Sequence, residues 1–249
     1  MKTLIIGGHG RIGSKLKIDG LRPTIEELDV TDFDNVCRYF EKHKPEVVIN
    51  LAGEIKDEGK MYDVNVLGAE NVAKACAKYG CKKLVHISSC AVYHQTSLDP
   101  TKEDENINPQ SEYGRTKLEG ENRVLSVFDN TIVLRLFNVF GIDGDNVIDR
   151  LARGEHLKLV DGDYYRTWTS VGVVESAVIG AMESRLVGVF NVGGVCMNNR
   201  ELVNWLEDIT GLEFDYEFVD GKPSYSWGEF GNELNKELYL SNRKNVEKS

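Results

Sequence analysis

The residues best suited to move a proton are Tyr113 and Lys117, in the run Tyr113-Gly114-Arg115-Thr116-Lys117. Four residues apart on a helix, they share a face and point at one site. An ammonium beside a phenol stabilises the phenolate and draws the tyrosine toward working pH, as a general acid or base requires. A YxxxK match arises easily by chance in a chain with 10 tyrosines, so its position matters more than its letters. It lies one loop after the strand pattern Lys83 to Ser89, which ends in Ser88-Ser89. A serine hydroxyl at that strand end can face the tyrosine across one substrate oxygen.

A second stretch is built to bind. Leu4-Ile5-Ile6 runs into Gly7-Gly8-His9-Gly10-Arg11-Ile12-Gly13, a strand followed by a glycine turn. Glycines at 7, 10 and 13 let the backbone turn sharply and approach a pyrophosphate, and a following helix, expected over Ile12 to Ile18, would point free N–H groups at it. The spacing is GxxGxxG, a modest signal alone. The second strand is expected over Leu21 to Leu28, though it is short and weakly patterned. Near it stand the cations Arg11 and Arg22 and the acids Glu26 and Glu27, which leaves NAD against NADP open.

The elements that position these groups alternate. Thr31 or Asp32 can cap a helix over Phe33 to Lys44, and Glu46 to Gly53 reads as a buried strand ending in small residues. A long amphipathic helix covers Met61 to Tyr79 and stops at Gly80. Val92 to Glu112 is a loop over the sheet, Tyr113 to Phe128 a helix, and Thr131 to Phe137 a strand. Such alternation predicts an α/β fold with a doubly wound parallel sheet of Rossmann type and ligands at the strands' carboxyl ends. Beyond Gly141 the pattern weakens to a helical piece near Asn146 to Arg153, a strand near Val189 to Gly193 and a helix capped by Asn198 and Glu201 that ends at Gly211. The expected division is a dinucleotide-binding domain over 1–140, to which about 167–195 return, and a small C-terminal substrate lobe from 141–166 and 196–249. The end, Ser241 to Ser249, is expected to fray.

A hydrophobic content of 41% and a charged content of 28% are those of a globular protein. The net charge of −10 argues against nucleic-acid binding, which needs a basic face. Five cysteines without paired CxxC spacing fit reduced thiols and no metal site. No run approaches the length of a membrane span and the start has no signal-peptide pattern, so a cytoplasmic location is expected. Taken singly, His86 reads as a core residue, Cys90 as a buried thiol without an activating histidine, and Arg135 as structural.

In order and interval, five motifs resemble the extended short-chain dehydrogenase/reductase family, most closely its nucleotide-sugar epimerases, reductases and dehydratases. They are the glycine turn, Asn50-Leu51-Ala52-Gly53, Ser88-Ser89-Cys90-Ala91-Val92-Tyr93, Tyr113 with Lys117, and Leu134 to Gly141. The resemblance implies NAD or NADP as cofactor and a nucleotide sugar as substrate. It implies Tyr113 as acid/base, Lys117 as its tuner and ribose contact, and Ser89 as the contact of the reacting oxygen. Cofactor contacts are implied at Gly7, Gly10, Arg11, Ile12, Gly13, Asp29, Asp32, Leu51, Ala52, Gly53, Asn65 and Lys117. Substrate contacts are implied at Ser89, Tyr113, Asn138 and Arg166, and a homodimer through the helices at 61–79 and 113–128.

Departures from the family pattern narrow the reaction. Ser89-Cys90-Ala91 stands where the dehydratases carry Thr-Asp-Glu, so dehydration is disfavoured. The abbreviated second strand resembles the 4-keto sugar reductases, while Phe137-Asn138 resembles the epimerases. The expectation is an enzyme moving hydride at a ring carbon, C4, with epimerisation favoured and NADPH-dependent reduction of a 4-keto sugar as the alternative. A non-catalytic dinucleotide-binding regulator is a third reading.

Overall fold

The computed structural model describes residues 1–94 and 101–221. Residues 95–100 of the expected loop and the whole stretch 222–249, including the end expected to fray, lie outside the described residues.

Strands β1 (Thr3–Ile6), β2 (Val47–Asn50), β3 (Lys83–Ser89) and β4 (Thr131–Leu136) arise where the sequence runs apolar and β-branched. Between them lie helices α1 (Phe33–His43), α2 (Glu58–Tyr62), α3 (Ala69–Tyr79) and α4 (Glu112–Val127). Asp32 caps α1 by accepting from the Asn35 N–H, and Ser111 caps α4 by accepting from the Gly114 N–H. Then follow β5 (Val139–Phe140), α5 (Val147–Ala152), β6 (Leu157–Val160), β7 (Arg166–Ser170) and α6 (Val171–Glu183). The described chain closes with β8 (Gly188–Val192), β9 (Val195–Met197), α7 (Asn199–Thr210) and β10 (Tyr216–Val219).

The main sheet has five parallel strands in the order β1-β2-β3-β4-β8. Alternate strand residues feed two cores. Leu4, Val48, Leu84 and Val133 pack under α1, α3 and α4, while Ile5, Ile49, Val85 and Leu134 pack under α6 together with Leu16 and Ile18. Helices on both faces make the fold doubly wound and Rossmann-like, as the alternation predicts. A third cluster joins Ile148, Leu151, Leu157, Leu159, Trp168, Leu202 and Leu206 beyond the sheet, beside the parallel pair β6 and β10.

Two expectations are corrected. The strand expected over Leu21 to Leu28 is reduced to one parallel bridge, Leu4 to Leu21. The helix expected over Ile12 to Ile18 is a single 3-10 turn, Gly13–Lys15. Both changes have one cause. The Arg22 guanidinium gathers the carbonyls of Gly8, Gly13, Leu16 and Ile18 at 2.6 to 3.1 Å, so this backbone is wound around a cation instead of into a helix. Helix α6 carries no helical signal in the sequence, since Val171 to Glu183 has too few polar residues to trace a face.

Candidate active site

The first two parallel strands fix where a ligand can lie. From β1 the chain bridges to Leu21 on one side and then crosses through α1 to β2 on the other, so a switch point opens at the carboxyl ends of β1 and β2. A cleft of about 500 Å³ begins there and runs along the sheet to β3 and β4. Its wall includes Gly7, Gly10, Arg11, Ile12, Gly13, Leu51, Ala52 and Gly53 at one end and Ser89, Tyr113, Lys117 and Asn138 at the other.

At the first end Gly7 has φ +75°, and a Cβ there would stand 2.8 Å from the Ala52 nitrogen. Only a glycine lets the turn close on the end of β2. None of the turn's own hydrogen bonds uses the N–H groups of Arg11, Ile12 or Gly13, while Gly10, Ser14 and Lys15 donate to carbonyls within it. The cradle therefore fits a pyrophosphate through backbone N–H groups, without the expected α-helix behind it. Exposed carboxylates reach over from the segment after β5. Asp145 lies 3.5 Å from Arg11 and 3.9 Å from Lys56, and Asp143 lies 2.5 Å from Lys15.

At the other end α4 delivers Tyr113 and Lys117 on one face. The Lys117 ammonium donates to the Ile87 carbonyl at 2.7 Å and is buried. Burial brings it down to about 8, with the Glu121 carboxylate opposing. Burial pushes the Tyr113 phenol up to about 12, against the hydrogen-bonding Ser89 side chain. Ser89 ends β3 and accepts from the Ala91 N–H at 3.2 Å, which turns its hydroxyl toward the cleft. The arrangement can donate a proton to a substrate oxygen and hold that oxygen by a second hydroxyl. Cys90 also lines the cleft, but burial raises its thiol to about 11, so it stays protonated.

A family model described as the RmlD substrate binding domain matches residues 1–208. The chain belongs to this family, within the extended short-chain dehydrogenase/reductases. It is 30% identical over 204 residues to a dTDP-4-dehydrorhamnose reductase of Aggregatibacter actinomycetemcomitans, covering 75% of this chain and 69% of that one. It is 28% identical over 280 residues to a UDP-glucose 4-epimerase of Rhizobium leguminosarum bv. trifolii, covering 87% of this chain and 84% of that one. Among solved structures, a dTDP-4-dehydrorhamnose reductase from Bacillus anthracis in complex with NADP superposes with a TM-score of 0.84 at 23% identity, covering 95% of this chain and 92% of that one.

Four residues that the family resemblance puts at the site lie off the cleft wall. Asp29 accepts from the Thr31 N–H and hydroxyl at 2.9 and 2.7 Å, and Asp32 is spent on capping α1. Asn65 is buried in a π-helical segment, Asp63–Gly68, between α2 and α3. Its amide spans the Glu54 N–H and carbonyl at 2.8 and 2.9 Å and donates to the Thr116 hydroxyl at 3.1 Å. It therefore shapes the loop that carries Glu54 and Lys56, two cleft residues that the sequence reading missed. Arg166 lines a second, smaller cavity with Lys158, Tyr164 and Asn199.

Others are placed differently from their expected chemistry. Arg22, one of the two cations considered for an NADP phosphate, is bound to backbone carbonyls throughout. Asn138 lines the cleft but donates its amide to the Thr167 carbonyl at 2.8 Å, in a backbone held at φ +21°. His86 is fully buried, as a core residue should be, with Nδ1 at 3.3 Å from the Asn50 amide and no partner for Nε2 among the described residues. Burial and then the Lys117 charge hold it well below its ordinary value, so it is neutral.

Proposed function

We propose that the chain is a reductase of 4-keto nucleotide sugars that takes up NADPH or NADH from solution at each turnover, in place of the epimerase toward which Phe137-Asn138 leans. The observation that carries this reading is the adenosine side of the cleft. The strand that would grip the ribose is a single bridge, and Arg22 at its end is occupied by carbonyls. A cofactor held by its pyrophosphate and loosely at its ribose exchanges readily, which a reductase needs. An epimerase that recycles its own hydride keeps its cofactor. Two further points agree. Asn138 is engaged with the backbone of β7, and Tyr113, raised to about 12, is protonated at neutral pH and so poised to give a proton. The similarity to dTDP-4-dehydrorhamnose reductases supports the same choice.

When bound along the cleft, a reduced nicotinamide supplies hydride to the carbonyl carbon of the sugar. Tyr113 gives its phenolic proton to the oxygen of that carbonyl, and the product is the alcohol. Ser89 donates a hydrogen bond to the oxygen as its negative charge grows. The Lys117 ammonium stabilises the phenolate left behind until a proton from water restores it. The lobe built on Trp168 and Leu202 takes the rest of the substrate: Lys158 and Arg166, lining a cavity of about 130 Å³, suit the diphosphate of a nucleotide sugar. Exposed Tyr62 and Leu67, on the outer side of the long helical run, are the surface on which a second copy would dock.

The test is to denature protein purified without dialysis and identify what it releases. The reductase reading expects no stoichiometric nicotinamide nucleotide, and binding of NADPH or NADH from solution. Stoichiometric NAD would support the epimerase. Binding without turnover on any nucleotide sugar would leave the non-catalytic regulator, and failure of both cofactors to bind would overturn the reading of the glycine turn.

A further inference from the structure

The working face of α4 continues one turn past Lys117 to Glu121, a carboxylate that is 1% exposed. It accepts a hydrogen bond from the Ser88 hydroxyl. Arg135 of β4 pairs with it through Nε at 3.0 Å and Nη2 at 2.6 Å. Arg135 is itself 2% exposed, and its Nη1 donates to the Tyr93 hydroxyl at 2.6 Å and to the Glu103 carbonyl at 2.7 Å. Tyr93 donates to the Asn191 side-chain oxygen at 2.7 Å, and Asn191 donates to the Glu103 carboxylate and the Thr101 carbonyl at 2.8 and 3.0 Å. A continuous line of polar groups, buried as far as the half-buried Glu103, thus joins α4 and the end of β3 to the described part of the loop above the sheet.

A buried ion pair is weak evidence for stability, because an apolar pair of the same volume does as well or better. This one has a position that an apolar pair could not exploit. Lys117 faces the Ile87 carbonyl and His86 from β3 and Glu121 from its own helix, and it shares the cleft wall with Tyr113 one turn earlier. His86 is neutral and Tyr113 protonated, which leaves Glu121 as the negative charge acting on the lysine. Glu121 in turn faces Ser88 from β3, Arg135 from β4, and Tyr93, whose own surroundings include Glu103.

We propose that Glu121 is a positioning residue: its carboxylate, held by Ser88 and Arg135 one turn along α4 from Lys117, is the counter-charge on the lysine's face of the helix and fixes the strand end that presents Ser89. The role of Lys117 and Ser89 in the reaction rests on the function proposed above, but the charge of Lys117 can be read without it.

The experiment is a pH titration of the lysine ε-carbon by NMR in the full chain carrying 13C-labelled lysine, with Lys117→Arg assigning the resonance. In Glu121→Gln the Lys117 midpoint falls by about one pH unit or more relative to wild type, while Glu121→Asp keeps it close to wild type. An unmoved midpoint in Glu121→Gln overturns the proposal. Should that variant fail to fold because Arg135 is left without its partner, the pair Glu121→Gln with Arg135→Met removes both charges; the fall is then smaller, because the opposing charge of Arg135 goes with that of Glu121, and a midpoint at or above the wild-type value overturns the proposal. The alkaline limb of kcat for NADPH-dependent reduction should move with the midpoint. If the resonance moves and the limb does not, the catalytic reading of Lys117 fails and the assignment of Glu121 stands.

Discussion

The Arg22 guanidinium donates to the Gly13 carbonyl at 2.6 Å, and with three more carbonyls this contact holds the glycine turn in the place of a helix. Lysine cannot reproduce the fork, because its ammonium is a point donor. Arg22→Lys should cost about 2 kcal/mol of unfolding free energy in urea, the scale of lost charge-assisted hydrogen bonds at a half-buried site. It should also weaken NADPH binding about tenfold or more while leaving the pH dependence of the bound enzyme in place. Fluorescence titration checks the second part; unchanged binding would mean that the turn does not depend on Arg22.

Gly120 faces the π-helical segment so closely that a Cβ would run into the Asn65 carbonyl oxygen. In an open helix Gly→Ala stabilises by about 1 kcal/mol, so the sign of the effect is diagnostic. Gly120→Ala should lower stability by about 1–3 kcal/mol in thermal or urea unfolding, as overpacking does.

Tyr113 is the proton donor of the proposed mechanism, and its hydroxyl is the only group that Tyr113→Phe removes. The variant should lose about 10²–10⁴-fold in kcat with NADPH binding unchanged. An equal loss in cofactor affinity would instead mark the tyrosine as a binding residue.

Lys117 should shape two pH profiles. Its ordinary value is 10.5 and burial brings it to about 8. Raising the pH through about 8 removes the charge that stabilises the phenolate, so kcat should fall on the alkaline side. For stability the sign is reversed. Below about 8 both folded and unfolded chains carry the proton; between there and 10.5 only the unfolded chain does, so this group's contribution favours folding increasingly as pH rises across that window. Comparing urea unfolding of wild type and Lys117→Met across the window isolates the contribution, which should vanish in the variant.

The sheet and the meeting of Ser89, Tyr113 and Lys117 on one cleft wall are legible in the sequence for physical reasons. Strands buried on both faces appear as unbroken apolar runs, such as Val47 to Ile49, and Tyr113 and Lys117 are tied by helical spacing alone. The failures are places where distant groups decide the local form. Nothing near Leu21 signals that four carbonyls will converge on Arg22, and Asn65 gives no hint of the π turn that tucks its amide under Glu54. The helix α6 is hidden by its own apolarity: Val174, Ala177, Val178 and Ala181 are buried, but Val173 and Ile179 are exposed and blur the periodicity. Glu121 lies at the spacing that marks Lys117, and its importance emerges only when Arg135 and Ser88 are seen beside it.

The most direct measurement is turnover of a 4-keto nucleotide sugar with NADPH deuterated at the transferable position. The account predicts one cofactor oxidised per sugar reduced, with deuterium at C4 of the product and loss of the reaction in Tyr113→Phe. Interconversion of two C4-epimeric nucleotide sugars by bound NAD, with no consumption of NADPH and no deuterium gained, would contradict it.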